Sequence, residues 1–183
     1  MNIIFKLTYF LIIMTLSNTT HANVEIVNYV TKNGIKVLYT RSANIPMIDI
    51  QITFDAGSSK DGKLKGLSML THNLLDEGTS DMNSESIAAV FESTGAIFNA
   101  SVNKDKSSVS LRSLTEKKYL DPSLKMFQKI LSDSTFPSNE INLQRERTVS
   151  SIKEDALDPG EISINSFLRK YMEIFHTRIR QMV

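Results

Sequence analysis

Apolar residues change their spacing several times along this chain, and each change marks an element. Ile26 to Val30 and Ile35 to Thr40 flank Lys32-Asn33-Gly34, and Ile35, Val37 and Tyr39 alternate with polar neighbours. That pattern predicts a hairpin closed by an Asn-Gly turn. Ile48, Ile50, Ile52 and Phe54 repeat the period of two and predict a third strand, ending at Ala56-Gly57-Ser58-Ser59. The period then becomes helical. Leu64, Leu67, Leu70, Leu74 and Leu75 predict a helix of about three turns, closed at Glu77-Gly78-Thr79 with the glycine at C′. A second helix begins near Asn83 or Ser84, buries Ile87, Val90 and Phe91, and stops at Gly95. Phe98, Ala100 and Val102, then Val109 and Leu111, alternate on either side of Asn103-Lys104-Asp105-Lys106, which reads as a second hairpin.

From Thr115 the helical period returns, with Leu120, Leu124, Phe127 and Leu131 on one face and Pro122 placed in the first turn, where its missing N–H is tolerated. Another helix starts after Pro137, with Ser138 or Asn139 as cap, and carries Ile141, Val149 and Ile152 towards Asp158-Pro159-Gly160. The last apolar stretch is Ile162 to Phe175. Three strands, two helices, two strands and three helices in that order predict an α+β fold: a mostly antiparallel sheet with helices packed on one face. No internal repeat and no linker interrupts it.

Residues 1–22 read as a leader rather than as fold. One cation, Lys6, precedes an apolar run from Leu7 to Leu16, and Thr20 and Ala22 suit the small-residue positions of a signal-peptidase site. The run is about half of what spans a bilayer. Cleavage would leave a mature protein beginning at Asn23, one domain over residues 23–183. The chain has no cysteine, so neither a lipid-anchored cysteine nor a disulfide framework is available. The expectation is a periplasmic or secreted protein with no membrane attachment after cleavage. With 21 basic against 20 acidic residues in 183, and one lysine fewer after cleavage, there is no electrostatic footprint for a nucleic acid. At 41% hydrophobic and 22% charged, the composition excludes disordered and collagen-like classes.

The segment from Gly66 to Thr79, Gly-Leu-Ser-Met-Leu-Thr-His-Asn-Leu-Leu-Asp-Glu-Gly-Thr, carries the chemical information. Together with the preceding Asp55-Ala56-Gly57-Ser58-Ser59 and the strand order, it resembles the N-terminal domain of the pitrilysin and mitochondrial-processing-peptidase family of zinc metallopeptidases. In that family a strand ending in a Gly-Ser loop leads into a helix that begins Gly-Leu and ends Gly-Thr. Between those ends lies the inverted motif H-x-x-E-H, whose two histidines grip zinc from one helix face while the glutamate polarises the attacking water. A downstream glutamate completes the ligands. Ungapped alignment of the two ends places Met69 at the first histidine, His72 at the base and Asn73 at the second histidine. A thioether and a neutral amide are poor zinc ligands. Phe136-Pro137-Ser138-Asn139-Glu140 through Glu146-Arg147-Thr148-Val149 is similar to the later ligand helix, with Lys153 at the glutamate position and Glu154 one place beyond.

The resemblance, over about residues 24 to 170, implies ancestry without the reaction: a non-catalytic exported homologue, with zinc a property of the family and no cofactor expected here. The implied partner is a catalytically active paralogous peptidase, this chain helping to enclose a peptide substrate; a gene remnant is the other form of the same reading. Past Phe167-Leu168-Arg169-Lys170-Tyr171 the family continues towards a His-Pro-Tyr segment, whereas His176 to Val183 is basic and unmatched, suggesting a truncated or frame-disrupted product. The alternative is an active zinc metalloendopeptidase with an altered ligand set. His72 and Asp76, four apart, are the metal candidates, with Glu77, Glu154 and the distant His176 beside them. No G-x-S-x-G elbow, P-loop or G-x-G-x-x-G pattern opens a route to other chemistry.

Overall fold

The computed structural model describes residues 25–42 and 44–181, with side chains described as far as residue 173. Residues 1–22, expected to be a leader, therefore lie outside the described residues, as does the side chain of His176. Elements follow the expected order, and the antiparallel strands fall into two small sheets. The chain divides at Ile45/Pro46 into two compact units. The first contains a hairpin of β1 (Ile26–Val30) and β2 (Lys36–Thr40), paired from Ile26↔Thr40 to Val30↔Lys36. Gly34 supplies the left-handed turn residue at φ 82°.

The second unit holds β3 (Met47–Phe54), β4 (Ile97–Val102) and β5 (Ser107–Leu114) in the order β3-β5-β4, all antiparallel. Register puts Ile50, Leu111 and Phe98 in one row and Ile52, Val109 and Ala100 in the next. The period of two thus places Ile48, Ile50, Ile52, Phe98, Ala100, Val109 and Leu111 on one face. On the other face Arg112 donates from Nε (2.6 Å) and Nη2 (3.1 Å) to the two oxygens of Asp49. α1 (Leu67–Asn73) lies against β4. α2 (Ser84–Thr94) and α3 (Lys117–Asp133) cover the apolar face, and α4 (Ser138–Asp155) and α5 (Pro159–Gln181) follow. The core joins Ile87 and Phe91 of α2 and Met126, Phe127 and Ile130 of α3 to Val109 and Leu111. Phe98 stacks on Phe91 at 5.8 Å and meets Phe127 edge-on at 6.1 Å.

Helix ends depart from the periodic pattern in four places. α1 has seven residues instead of about three turns, and Leu64, Leu74 and Leu75 lie outside it. Leu74 is nevertheless buried, so the leucine spacing records core contact beyond the helical backbone. Gly78 is not at C′ but forms a bridge with Asn83, its α-carbon held against the Pro137 ring. Pro122 sits in the second turn of α3, whose N-cap is Glu116, rather than in the first turn. Pro137 occupies the N-cap position of α4, so Ser138 and Asn139 are helical and not caps. Asn83 does cap α2, accepting from the Ser86 N–H at 3.0 Å, and Gly95 ends it at φ 64°.

Candidate functional site

α1 follows the loop after β3 and is set by a residue with no helical period of its own. Asp61 accepts from the Gly66 N–H through Oδ2 at 2.9 Å and from the Ser68 N–H through Oδ1 at 3.0 Å. Gly66, at φ 90°, makes the left-handed turn that aims both donors at it. The sequence reading missed Asp61 because a cap is sought next to the helix, and this one reaches back across five residues. Desolvation pushes its carboxyl up, but the Ser68 and Gly66 amides, the Ser68 hydroxyl and Lys65 outweigh it and hold the group below the ordinary carboxylate range. A group depressed in the fold stabilises above its unfolded value, and that stabilisation is lost as pH falls through the lowered value. The Ser68 amide proton shift is therefore expected to titrate with a midpoint below that of an ordinary aspartate, and to lose that step in Asp61→Asn. A midpoint at or above the ordinary range would remove Asp61 from this role.

Along α1, Met69 is 46% exposed and Asn73 is exposed, one turn apart on the outer side. His72 faces inward and is 9% exposed. Its Nδ1 lies 3.0 Å from the Ser68 carbonyl oxygen, and Nε2 has no hydrogen-bond partner. Because the helix ends at Asn73, Asp76 lies in the following turn rather than one helical turn from His72. Burial drives the Asp76 carboxyl upward, its own backbone amide opposes this, and the Glu77 charge reinforces it. Glu77 accepts from Gln144 Nε2 of α4 at 3.0 Å, tying the end of the motif segment to the helix that carries Lys153 and Glu154. Those two side chains are exposed.

These residues do not fit a zinc ion. The outward pair offers a thioether and an amide, and the one imidazole already engages a ring nitrogen with its own helix. Among the described residues, no three of His, Cys, Asp and Glu come together as a metal site.

The frame around this altered motif matches a known one. The sequence model of the insulinase family, peptidase family M16, matches residues 36–172. The chain belongs to peptidase family M16. A crystal structure of a peptidase M16 inactive domain from Pseudomonas fluorescens is similar at TM-score 0.73 and 32% identity, over 75% of this chain and 34% of that one. A protease from Helicobacter pylori shares the fold at TM-score 0.60 and 18% identity, over 70% of this chain and 31% of that one. No curated protein matches. This M16 chain thus spans about a third of the length of those two structures. The family and the α+β class implied by the Gly-Leu to Gly-Thr segment are both the ones found.

Proposed function

We propose that this M16 chain is a non-catalytic, exported homologue of the zinc peptidases, acting as the inert subunit that helps enclose a peptide beside an active paralogue. The carrying observation is the α1 segment itself. The M16 frame is kept while the three motif positions hold Met69, His72 and Asn73. The similarity to a structure described as an inactive M16 domain supports the same reading. So does the edge position of β4, next to α1, since an extended peptide can add to an unpaired strand edge. α4, α5 and the turn between them contribute apolar surface that a partner chain would cover, including Ile152, Leu157, Phe167 and Leu168. The altered-ligand reading needs His72, Asp76 and Glu77 or Glu154 around one ion, and their placement lends it no support.

The test starts from protein recovered from the periplasm or medium, whose first residue is expected to be Asn23. After zinc loading and exhaustive dialysis, elemental mass spectrometry is expected to find far less than one zinc per chain. Peptide cleavage by the chain alone is expected to be absent, and addition of it to an active M16 chain is expected to raise kcat/KM for that partner. One zinc per chain, lost in His72→Ala, together with zinc-dependent cleavage, would overturn the proposal.

A further inference from the structure

α5 is amphipathic, and its apolar side points away from the helix beside it. Asn165, Ser166, Arg169, Lys170 and Glu173 line a groove that α5 shares with Ile152 and Ala156 of α4. They recur at three and four residues, as one helix face does. Ile164, Phe167, Leu168, Tyr171 and Met172 recur at the same spacing and fall on the opposite face, over an arc of about 140°. All five are exposed, from 44% at Leu168 to 67% at Phe167, and the Phe167 and Tyr171 rings stack along the stripe at 6.0 Å. None of the five is charged, and the cations Arg169 and Lys170 lie on the groove side. A helix that packs within its own domain buries its apolar arc, whereas α5 turns its polar one inward.

We infer that α5 is the contact through which two copies of this chain pair, stripe against stripe about a two-fold axis. This goes beyond the peptide-enclosing role: within the apolar surface of α4 and α5 it gives the stripe a second copy as occupant, whether or not a paralogue is present. Area supports that occupant. A large side chain offers roughly 200 Å² when fully open, so five that are about half exposed present roughly 550 Å², at the upper end for a patch on a monomer. Two stripes together would bury about 1,100 Å², which reaches the lower bound of a specific interface. Charge agrees with this. Once Lys6 leaves with residues 1–22, the 21 basic residues become 20 against 20 acidic, so copies do not repel one another and no net positive charge draws the stripe to an anionic membrane. A two-fold contact occupies the same patch on both copies, so association stops at the dimer. At this area pairing is weak, with a Kd on the order of tens of micromolar. Below that concentration the chain is a monomer, and Phe167 serves pairing rather than the stability of its own chain.

Sedimentation equilibrium of the chain from Asn23 onward, run from far below to well above that Kd, is expected to show a reversible monomer–dimer equilibrium with no larger species. Leu168→Glu places a charge in the stripe and is expected to weaken pairing roughly tenfold or more. Ser166→Glu adds the same charge on the groove face and is expected to leave pairing within about twofold. In the parent chain, concentration-dependent amide shifts are expected to centre on residues 164–172, and these decide the matter where a variant fails to fold. A chain that stays monomeric throughout, shifts centred on another element, or equal weakening by the two folded variants would overturn the inference. None of these outcomes bears on zinc binding or on the paralogue's kcat/KM, so the proposed function stands or falls separately.

Discussion

Phe127→Ala is expected to lower the unfolding free energy by about 3–5 kcal/mol, enough to leave the protein partly unfolded at room temperature. Phe127 is 4% exposed and closes the edge-on contact with Phe98, which itself stacks on Phe91. Truncation removes the meeting point of α2, α3 and the sheet, and the cavity left behind is lined by Met126, Ile130 and Leu111 neighbours that cannot all collapse into it. Among the described residues the buried cluster has only eight members, so there is little redundancy. Phe167 makes the natural comparison. It is 67% exposed on α5 and, among the described residues, its ring contact is with Tyr171, so Phe167→Ala is expected to stay within about 0.5 kcal/mol. Urea unfolding followed by circular dichroism reads both as midpoint shifts at constant slope. Equal shifts would mean that the core lies elsewhere.

Gly57→Ala is expected to cost about 2–4 kcal/mol, for a different reason. Its φ of −78° is open to any residue, so no strain is being relieved by glycine. A Cβ built there falls 2.4 Å from the Lys104 carbonyl oxygen and from the Asp105 carbonyl carbon, both backbone atoms of the β4–β5 turn. That turn cannot step aside cheaply. It accepts the Ser58 and Ser59 N–H groups at 2.9 Å each, and Asn103 Oδ1 braces it from within by accepting from Asp105 and Lys106. Relief of the clash costs overpacking of about 1–3 kcal/mol plus part of two backbone hydrogen bonds. Gly62→Ala separates contact from conformation: Gly62 has φ 58° and open space around its Cβ, so its cost is expected near 1 kcal/mol. A Gly57→Ala effect no larger than that of Gly62→Ala would assign the loop to conformation alone.

Much of the architecture was legible because strands and one-sided helices advertise themselves by period. Ile48, Ile50, Ile52 and Phe54 mark the inner face of β3 as written, and Asn83 and Gly95 bracket α2 to the residue. What periodicity conveys is which side is apolar, not whether anything lies against it. Ile152 and Val149 alternate helically on α4 yet are exposed, and no residue of α4 is buried. The extent of α1 was overread for the converse reason, since Leu74 is buried from a turn outside the helix. At the candidate site the letters alone exposed the loss of the motif, because ligand chemistry depends on residue type. Asp61 and the inward turn of His72 were illegible, since both depend on the path of the loop after β3 and on what α1 packs against.

The order β3-β5-β4 also governs when the sheet comes into being. β4 and β5 are joined by a four-residue turn and pair locally, whereas Ile50 meets Leu111 only after some sixty intervening positions have been placed. Closing that span is the entropically expensive step, so the helices α1 and α2 and the β4–β5 hairpin assemble first and β3 docks onto β5 late. During synthesis β3 emerges well ahead of β5. For that interval Ile48, Ile50 and Ile52 form a strand with two open edges, and the nascent chain is at its greatest risk of pairing with a neighbour.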